Sequence, residues 1–511
     1  MTRQMHVSLF LLLLLCLFVQ LCSTSGILAA PSAGVVQEVP LKGQSGVQAY
    51  TVSTGYRHLI RIVTSTKDLE NKRKYCSAEG MPIWDFDGNV IKCHNYHVLK
   101  TEDVQYLKNE ILPAAVKLHA DRLRVDPVKG SLVVPEFEEE STCSYFTVPV
   151  SHHCKGVNNS DMVLYVAAKP VNPFATICAN ASSGRPIAAA MNFRVYRKYG
   201  LRYNVRLATH EIAHALGFDY QNFVDNKMVS TLENLRGKSR VVVVSPRTLE
   251  EAKKHYGCGN LKGVHLVSSH WDHRIAKDEL MSSYTVFGAG YYTALTMSVF
   301  DDLPYYSANW GMEEPMAWGN NSGCEFINGA CTVNTENTKT TTKMFCSRGV
   351  YSQCTSDRFA VGSCTSVMGY RVYTEPDECP FAKPEHIYTP HGMLSALCTL
   401  TVNNTIPGSV TGNDSWCLDG DSLKVKVKGN ANKVVGGVCV RVSCDEGKVK
   451  VMYAGNDKWH DCPEGGSITP LASTSTSFVS GKIKCPKYRE VCTMTPDGGS
   501  RLIPKTSEQK Q

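Results

Sequence analysis

No clustered stripe of lysine and arginine runs through this sequence, and a formal charge of +7 spread over 511 residues is too dilute to argue for a nucleic-acid partner. Beyond the N-terminal segment there is no apolar run of the ~20 residues that a bilayer span needs, so no transmembrane span is expected in the mature chain. The last residues, Arg501 to Gln511, are polar and charged, which is unlike the hydrophobic tail of a lipid-anchor signal. No internal repeat is found. The reading that remains is a globular, multidomain protein.

The N-terminus supplies an address. Arg3 precedes an almost unbroken apolar run from Val7 to Leu21, followed by the small residues Ser23-Thr24-Ser25-Gly26, the pattern of a cleaved secretory signal. Of the 21 cysteines, 19 remain once Cys16 and Cys22 leave with that signal, a density that suits only an oxidising compartment. Their odd number implies a free or intermolecular thiol, and Cys154, beside His152 and His153 in a polar stretch, is the candidate. Asn158, Asn180, Asn320, Asn403 and Asn413 each open an Asn-x-Ser/Thr triplet, marking surface loops able to carry glycans in a secreted chain.

The cysteines divide the chain unevenly, with six between Cys76 and Cys258 and 13 between Cys324 and Cys492. Leu59 to Val63 and Met162 to Ala168 read as strands, while Val104, Leu107, Ile111, Leu112, Val116 and Leu118 recur at helical spacing, with a kink expected at Pro113. Further along, Val241 to Val244 reads as a strand, Ser245-Pro246 as a helix start, Gly257 as its stop, and Tyr291 to Asp302 as a second helix. Runs such as Leu423 to Val427 and Val434 to Val442 alternate with turn residues, and Thr335 to Thr342 reads as an exposed loop. The fold class is therefore α+β and multidomain, with a helical middle region and a β-rich, disulfide-stapled C-terminal domain. The expected divisions are a signal peptide over 1–25, a short pro-segment or linker over 26–50, an N-terminal catalytic domain over 51–217, a central domain over 218–325 and a cysteine-rich domain over 326–511.

One segment dominates the chemistry: Thr209-His210-Glu211-Ile212-Ala213-His214-Ala215-Leu216-Gly217-Phe218, which contains His-Glu-x-x-His. On a helix, residues four apart lie one turn above each other, so His210 and His214 can reach one Zn²⁺ together. Glu211 then stands beside the metal, its carboxylate free to act as general base toward the water that the metal activates. A surface helix with two histidines is the bland alternative, but the apolar spacers Ile212, Ala213, Ala215 and Leu216 bury this helix. Catalytic zinc normally takes three protein ligands. The compact metzincin pattern puts a glycine three residues after the second histidine and a third histidine three further on. Gly217 fits, but the next position is Tyr220. His255, His265, His270 and His273 all lie in the region that follows and compete for the third place.

From here the sequence resembles the leishmanolysin group of metzincin-type surface metalloproteases, in which an insertion separates the glycine from the third histidine and a methionine turn follows. The matching stretches are His270-Trp271-Asp272-His273-Arg274-Ile275-Ala276-Lys277-Asp278-Glu279-Leu280-Met281 and Gly290-Tyr291-Tyr292-Thr293-Ala294-Leu295-Thr296-Met297. The resemblance implies a metzincin-like core, one Zn²⁺ per chain held by His210, His214 and His270, and Met281 as the turn residue. It also implies protein or peptide substrates of a host or vector, and cell-surface association. The sequence departs from the family in having no cysteine between Cys22 and Cys76, where relatives carry an inhibitory propeptide thiol. The expected function is a secreted zinc-dependent endopeptidase. Its rival from another class is a catalytically weak adhesin or decoy that keeps the protease fold.

Overall fold

A computed structural model describes residues 57–502, apart from 284–287, 330–343, 347–351, 365–378, 380, 390–391, 403–405, 428–429 and 471–476. The signal and pro-segment read from the sequence, and the Thr335 to Thr342 stretch, lie outside these residues. Helix and strand are mixed, and the C-terminal third is rich in strands. Among the described residues, no helix is long and apolar enough to cross a membrane.

A four-stranded sheet forms the heart of the first part. It contains β1 (Ile62–Ser65), β2 (Met162–Ala167), β3 (Phe174–Asn180) and β4 (Pro186–Asn192), in the order β1-β2-β4-β3. The first, second and fourth run parallel, and β3 lies antiparallel at the edge. Every residue of β2 and β4 is buried, as parallel strands covered on both faces require. Alternation splits them between two cores: Met162, Leu164, Val166, Ala189 and Met191 face one, and Val163, Tyr165, Ala167, Ala188 and Ala190 the other. The expected single strand over Leu59 to Val63 is broken instead, as His58–Leu59 pairs with a different sheet from β1.

Helices cover the first of those cores. The expected periodic helix is present as α1 (Thr101–Tyr106) and α2 (Leu112–Ala120), joined by one widened turn over Leu107–Ile111 in which Leu112 N–H reaches back to the Leu107 carbonyl. Pro113 has no N–H to give, so the chain absorbs it by widening the preceding turn. Next comes α3 (Gly200–Ala215), which carries the His-Glu-x-x-His segment, and then α4 (Tyr220–Asp225). A second sheet, all antiparallel, is built from β5 (Val229–Leu235), β6 (Lys238–Val243), β7 (Val264–Val267) and β8 (His270–Trp271), with α5 (Pro246–Tyr256) between β6 and β7. Ser245 and Gly257 bound α5 as expected, Gly257 in the left-handed conformation. The next helix, α6 (Ala294–Asp302), starts three residues later than the sequence suggests, because the Thr293 side chain caps it by accepting from Leu295 N–H.

The C-terminal part centres on a six-stranded antiparallel sheet whose two long strands are β9 (Ser415–Val427) and β10 (Asn430–Ser443), with a hydrophobic core of its own. Eight disulfides lie between described residues. Cys154 is disulfide-bonded as well, which corrects the expectation of a free thiol there. It closes a short helix, Val150–Cys154, whose histidines turn back onto the protein: His152 Nδ1 meets the Tyr165 hydroxyl at 2.9 Å and His153 Nδ1 the Val134 carbonyl at 2.8 Å.

The strand-rich part also holds the start of α3. Asn413 Oδ1 accepts from Leu201 N–H at 3.0 Å, so a residue more than 200 positions away caps the first turn. Gly200 makes this possible: its φ is +77°, and a Cβ there would lie 2.3 Å from the same Asn413 oxygen. Asn158 and Asn180 are exposed, as suits a glycan acceptor, whereas Asn413 is committed to this cap. Asn403 lies outside the described residues. Two substitutions separate cap from glycan. Asn413→Ala is expected to cost about 1 kcal/mol of stability in thermal or denaturant unfolding. Ser415→Ala also destroys the triplet but leaves the cap, and should unfold like the parent protein.

Candidate metal centre

The last turn of α3 explains how two histidines come to face outward together. The helix ends at Gly217, φ +106°, with Gly217 N–H bonded to the His214 carbonyl (3.0 Å) and Phe218 N–H to the Ala213 carbonyl (2.9 Å), a Schellman ending. A side chain at 217 would strike Asn222 Nδ2 at 2.8 Å. This sharp reversal brings the Phe218 carbonyl under His214, whose Nδ1–H donates to it at 2.7 Å. One turn earlier, His210 Nδ1–H donates to the Leu280 carbonyl, also at 2.7 Å. A carbonyl can only accept, so both rings carry their proton on Nδ1 and point a bare Nε2 lone pair into the cleft.

His270 joins them from the second sheet. Strands β7 and β8 form a tight hairpin with Val267 opposite His270 and Leu266 opposite Trp271. Its tip is Ser268, in the left-handed region at φ +54°, followed by Ser269. The three Nε2 atoms stand 3.2 Å from one another in every pairing. The rings of His210 and His270 are nearly parallel, 13° apart, and His214 stands edge-on to both. Among the described residues, these three form the one cluster of histidine, cysteine and carboxylate side chains close enough to share an ion. The competing histidines go elsewhere. His255 Nε2 lies 2.9 Å from the Trp318 carbonyl, His265 is buried near Asp272, and His273 faces Ser283 and the Phe381 ring.

The donor set fits a small divalent cation. Nitrogens about 2.0–2.1 Å from a tetrahedral ion stand roughly 3.3–3.4 Å apart, close to the spacing seen. Without a cation between them, at least two bare lone pairs would face each other across 3.2 Å in a partly buried site, which is repulsive. Burial first, and the neighbouring imidazoles second, hold His210 well below its ordinary pKa and bring His270 down to about 3; burial likewise lowers His214. All three thus favour the neutral form that ligates metal.

Glu211 lines the same cleft, which has a volume of about 560 Å³ and is walled by Pro173 to Ile177, Asp219, Ser268 and Ser269. Burial pushes its carboxyl up to about 8, and a cation in the neighbouring cluster would oppose that shift. The edge strand β3 thus runs along one side of the cleft and α3 forms its floor.

Much of what positions the imidazoles carries no motif. Leu280 and Met281 act through their carbonyls, one accepting from His210 and the other from Trp271 N–H at 2.8 Å, so a single segment ties the helix to the hairpin. Met281 is fully buried, and Glu279 Oε2 accepts its N–H at 2.6 Å. Behind α3, buried His119 spans to the helix: its Nε2–H donates to the Thr209 carbonyl (2.8 Å) and its Nδ1 accepts from the Tyr292 hydroxyl (3.1 Å). Asp219 offered a readable signal, since it sits just before a helical stretch and caps α4 through Gln221 and Asn222 N–H.

The chain is also similar in sequence to known proteins. A family model described as leishmanolysin matches residues 30–498. The chain is 32% identical to leishmanolysin of Leishmania major, over 86% of this chain and 78% of that protein. It is 31% identical to a leishmanolysin homolog of Crithidia fasciculata (86% and 71%) and 22% identical to a leishmanolysin-like peptidase of Drosophila melanogaster (77% and 78%).

His119 gives a pH test of the scaffold. Burial depresses it to about 3, against 6.5 when unfolded. Between those values the unfolded chain binds the extra proton, so stability is complete above pH 6.5 and falls as pH drops toward 3. His119→Gln should remove this contribution: the stability gap between parent and variant narrows by up to about 1.4 kcal/mol per pH unit on acidification. A gap that stays constant from pH 7 to pH 4 would contradict the assignment.

Proposed function

The chain belongs to the leishmanolysin family of metalloendopeptidases and acts on protein substrates, and from that premise we propose that it is a secreted zinc endopeptidase with a metzincin-type core. In this reading His210, His214 and His270 hold one Zn²⁺ and Glu211 is the general base. The observation that carries it is the mutual 3.2 Å approach of three imidazole nitrogens, two of them with their protons held on the far side of the ring. Residues 51–217 then supply the active helix and cleft wall, and residues 218–325 the third ligand and the Met281 turn.

Held by His210, His214 and His270, a zinc ion would supply Lewis acidity for the attacking water and the scissile carbonyl. The rest is the work of the chain. The outer edge of β3, at Phe174 to Ile177, offers backbone groups to an extended substrate strand and sets the scissile bond over α3. Glu211, lining the cleft beside the three imidazoles, takes the proton from the water and hands it to the leaving amine. Imidazoles fixed through Nδ1 cannot swing away while the charge develops, so the site is organised before substrate arrives. The disulfides support passage through an oxidising compartment.

Purified protein should cleave casein in a chelator-sensitive way. Glu211→Ala should lower kcat by about 10²–10⁴-fold while zinc content stays at one ion per chain. His270→Ala should lose bound zinc and His273→Ala should keep it. Cleavage that survives chelation or Glu211→Ala would sink the proposal, and stoichiometric zinc with no cleavage of any protein would favour the adhesin reading.

A further inference from the structure

The third imidazole is the expensive one to place, because it arrives 56 positions after His214 on a short hairpin whose tip borders the open cleft. One side of His270 is secured through Trp271 N–H on the Met281 carbonyl. The other side is secured by an unusual convergence of side chain and backbone. Ser269 Oγ–H donates to Asp219 Oδ2 at 2.9 Å, and the same Oγ accepts from Tyr220 N–H at 2.9 Å. Asp219 is itself held, its Oδ1 accepting from Gln221 N–H (2.9 Å) and Asn222 N–H (3.3 Å) at the start of α4. Asp219 stands two residues beyond the Gly217 reversal that ends the ligand helix, so this contact joins the exit of that helix directly to the hairpin tip.

We infer that Asp219 and Ser269 form a clasp that fixes the third ligand against the first two, making them positioning residues for the metal. The inference rests on the reading of His270 as a ligand. Within the tight turn, Ser268 already occupies the left-handed region, and Ser269 is the last residue whose conformation is free to vary before His270. Anchoring its side chain at both a donor and an acceptor removes that freedom. The bond to Asp219 is charge-assisted, so it holds better than a neutral serine contact. Outer groups that orient metal ligands are worth about 10–100-fold in metal affinity.

The test measures zinc affinity on the full chain by competition with a chromophoric chelator, alongside the unfolding temperature of the zinc-stripped protein. Ser269→Ala should weaken zinc binding by about 10-fold while the zinc-stripped protein stays folded with an unfolding temperature lowered by no more than a few degrees, about what two lost hydrogen bonds would give, and saturating zinc should restore most of the lost cleavage. Ser269→Thr, which keeps the hydroxyl, should bind zinc like the parent. Asp219→Asn keeps an oxygen for the α4 cap but turns an NH2 donor toward Ser269, so the Oγ–H loses its acceptor and zinc affinity should fall here too; it serves as the second variant if Ser269→Ala folds poorly. Parental zinc affinity in both Ser269→Ala and Asp219→Asn would overturn the clasp while leaving His270 a ligand. Parental zinc affinity in His270→Ala would overturn the ligand reading itself, and the clasp with it.

Discussion

Three neutral imidazoles cannot be packed nose to nose in a low-dielectric cleft unless something holds them there, and the architecture around α3 is arranged to do so. The Phe218 carbonyl beneath His214 and the Leu280 carbonyl beside His210 fix proton positions as well as ring angles. The first follows from a glycine-terminated helix end, and the second from a segment that also binds the hairpin carrying His270. The His210 and His214 rings are therefore oriented by backbone, which moves less than side chain, and the Leu280–Met281 segment that holds one of them also holds the hairpin bearing His270. The arrangement makes the protonation state of the cluster a property of the fold.

A second layer of restraint comes from the strand-rich part of the chain and, through Glu314, from the segment that follows α6. Asn413 caps α3, buried Arg202 lies over the Trp416 ring at 3.9 Å and donates to the Ser415 carbonyl, and Arg206 pairs through both guanidinium nitrogens with buried Glu314. A buried ion pair is a weak source of net stability, but one with both oxygens and both nitrogens engaged is a strong source of geometry. The part that looked like a stapled appendage in the sequence thus grips the first two turns of the helix that carries the chemistry.

How much of this was legible in the sequence depends on whether the determinant was local. His210, Glu211, His214 and Gly217 announce themselves because ligand spacing and helix termination are properties of a few consecutive residues. The same is true of Ser245-Pro246 and Gly257 around α5. His270 was a different matter: four histidines followed the motif, spacing alone left them open, and only the resemblance ranked them. In the structure His255 and His273 make contacts elsewhere, while His270 Nε2 stands beside those of His210 and His214. Cys154 was misread because the oddness of a cysteine count says nothing about which thiol is spare. Pro113 signals a local irregularity in the sequence, and the structure shows the form it takes, one widened turn just before it. Carbonyl partners such as Leu280 and Phe218 have no signature at all, because any residue supplies the same atom.

The reach of Arg206 has a consequence for how the molecule comes into being. Beyond Glu314, its guanidinium donates to the carbonyls of Gly498 and Gly499, and Gly498, at φ +85°, leaves no room for a side chain between that loop and Arg202 and Val205. A ribosome releases the helix that carries His210 and His214 nearly 300 residues before it releases these acceptors. Throughout that interval a charged group destined for the interior has lost neither its water nor gained its final partners. The acceptors that complete the burial of Arg206 are thus among the last described residues to leave the ribosome, and α3 gains its final anchorage only then.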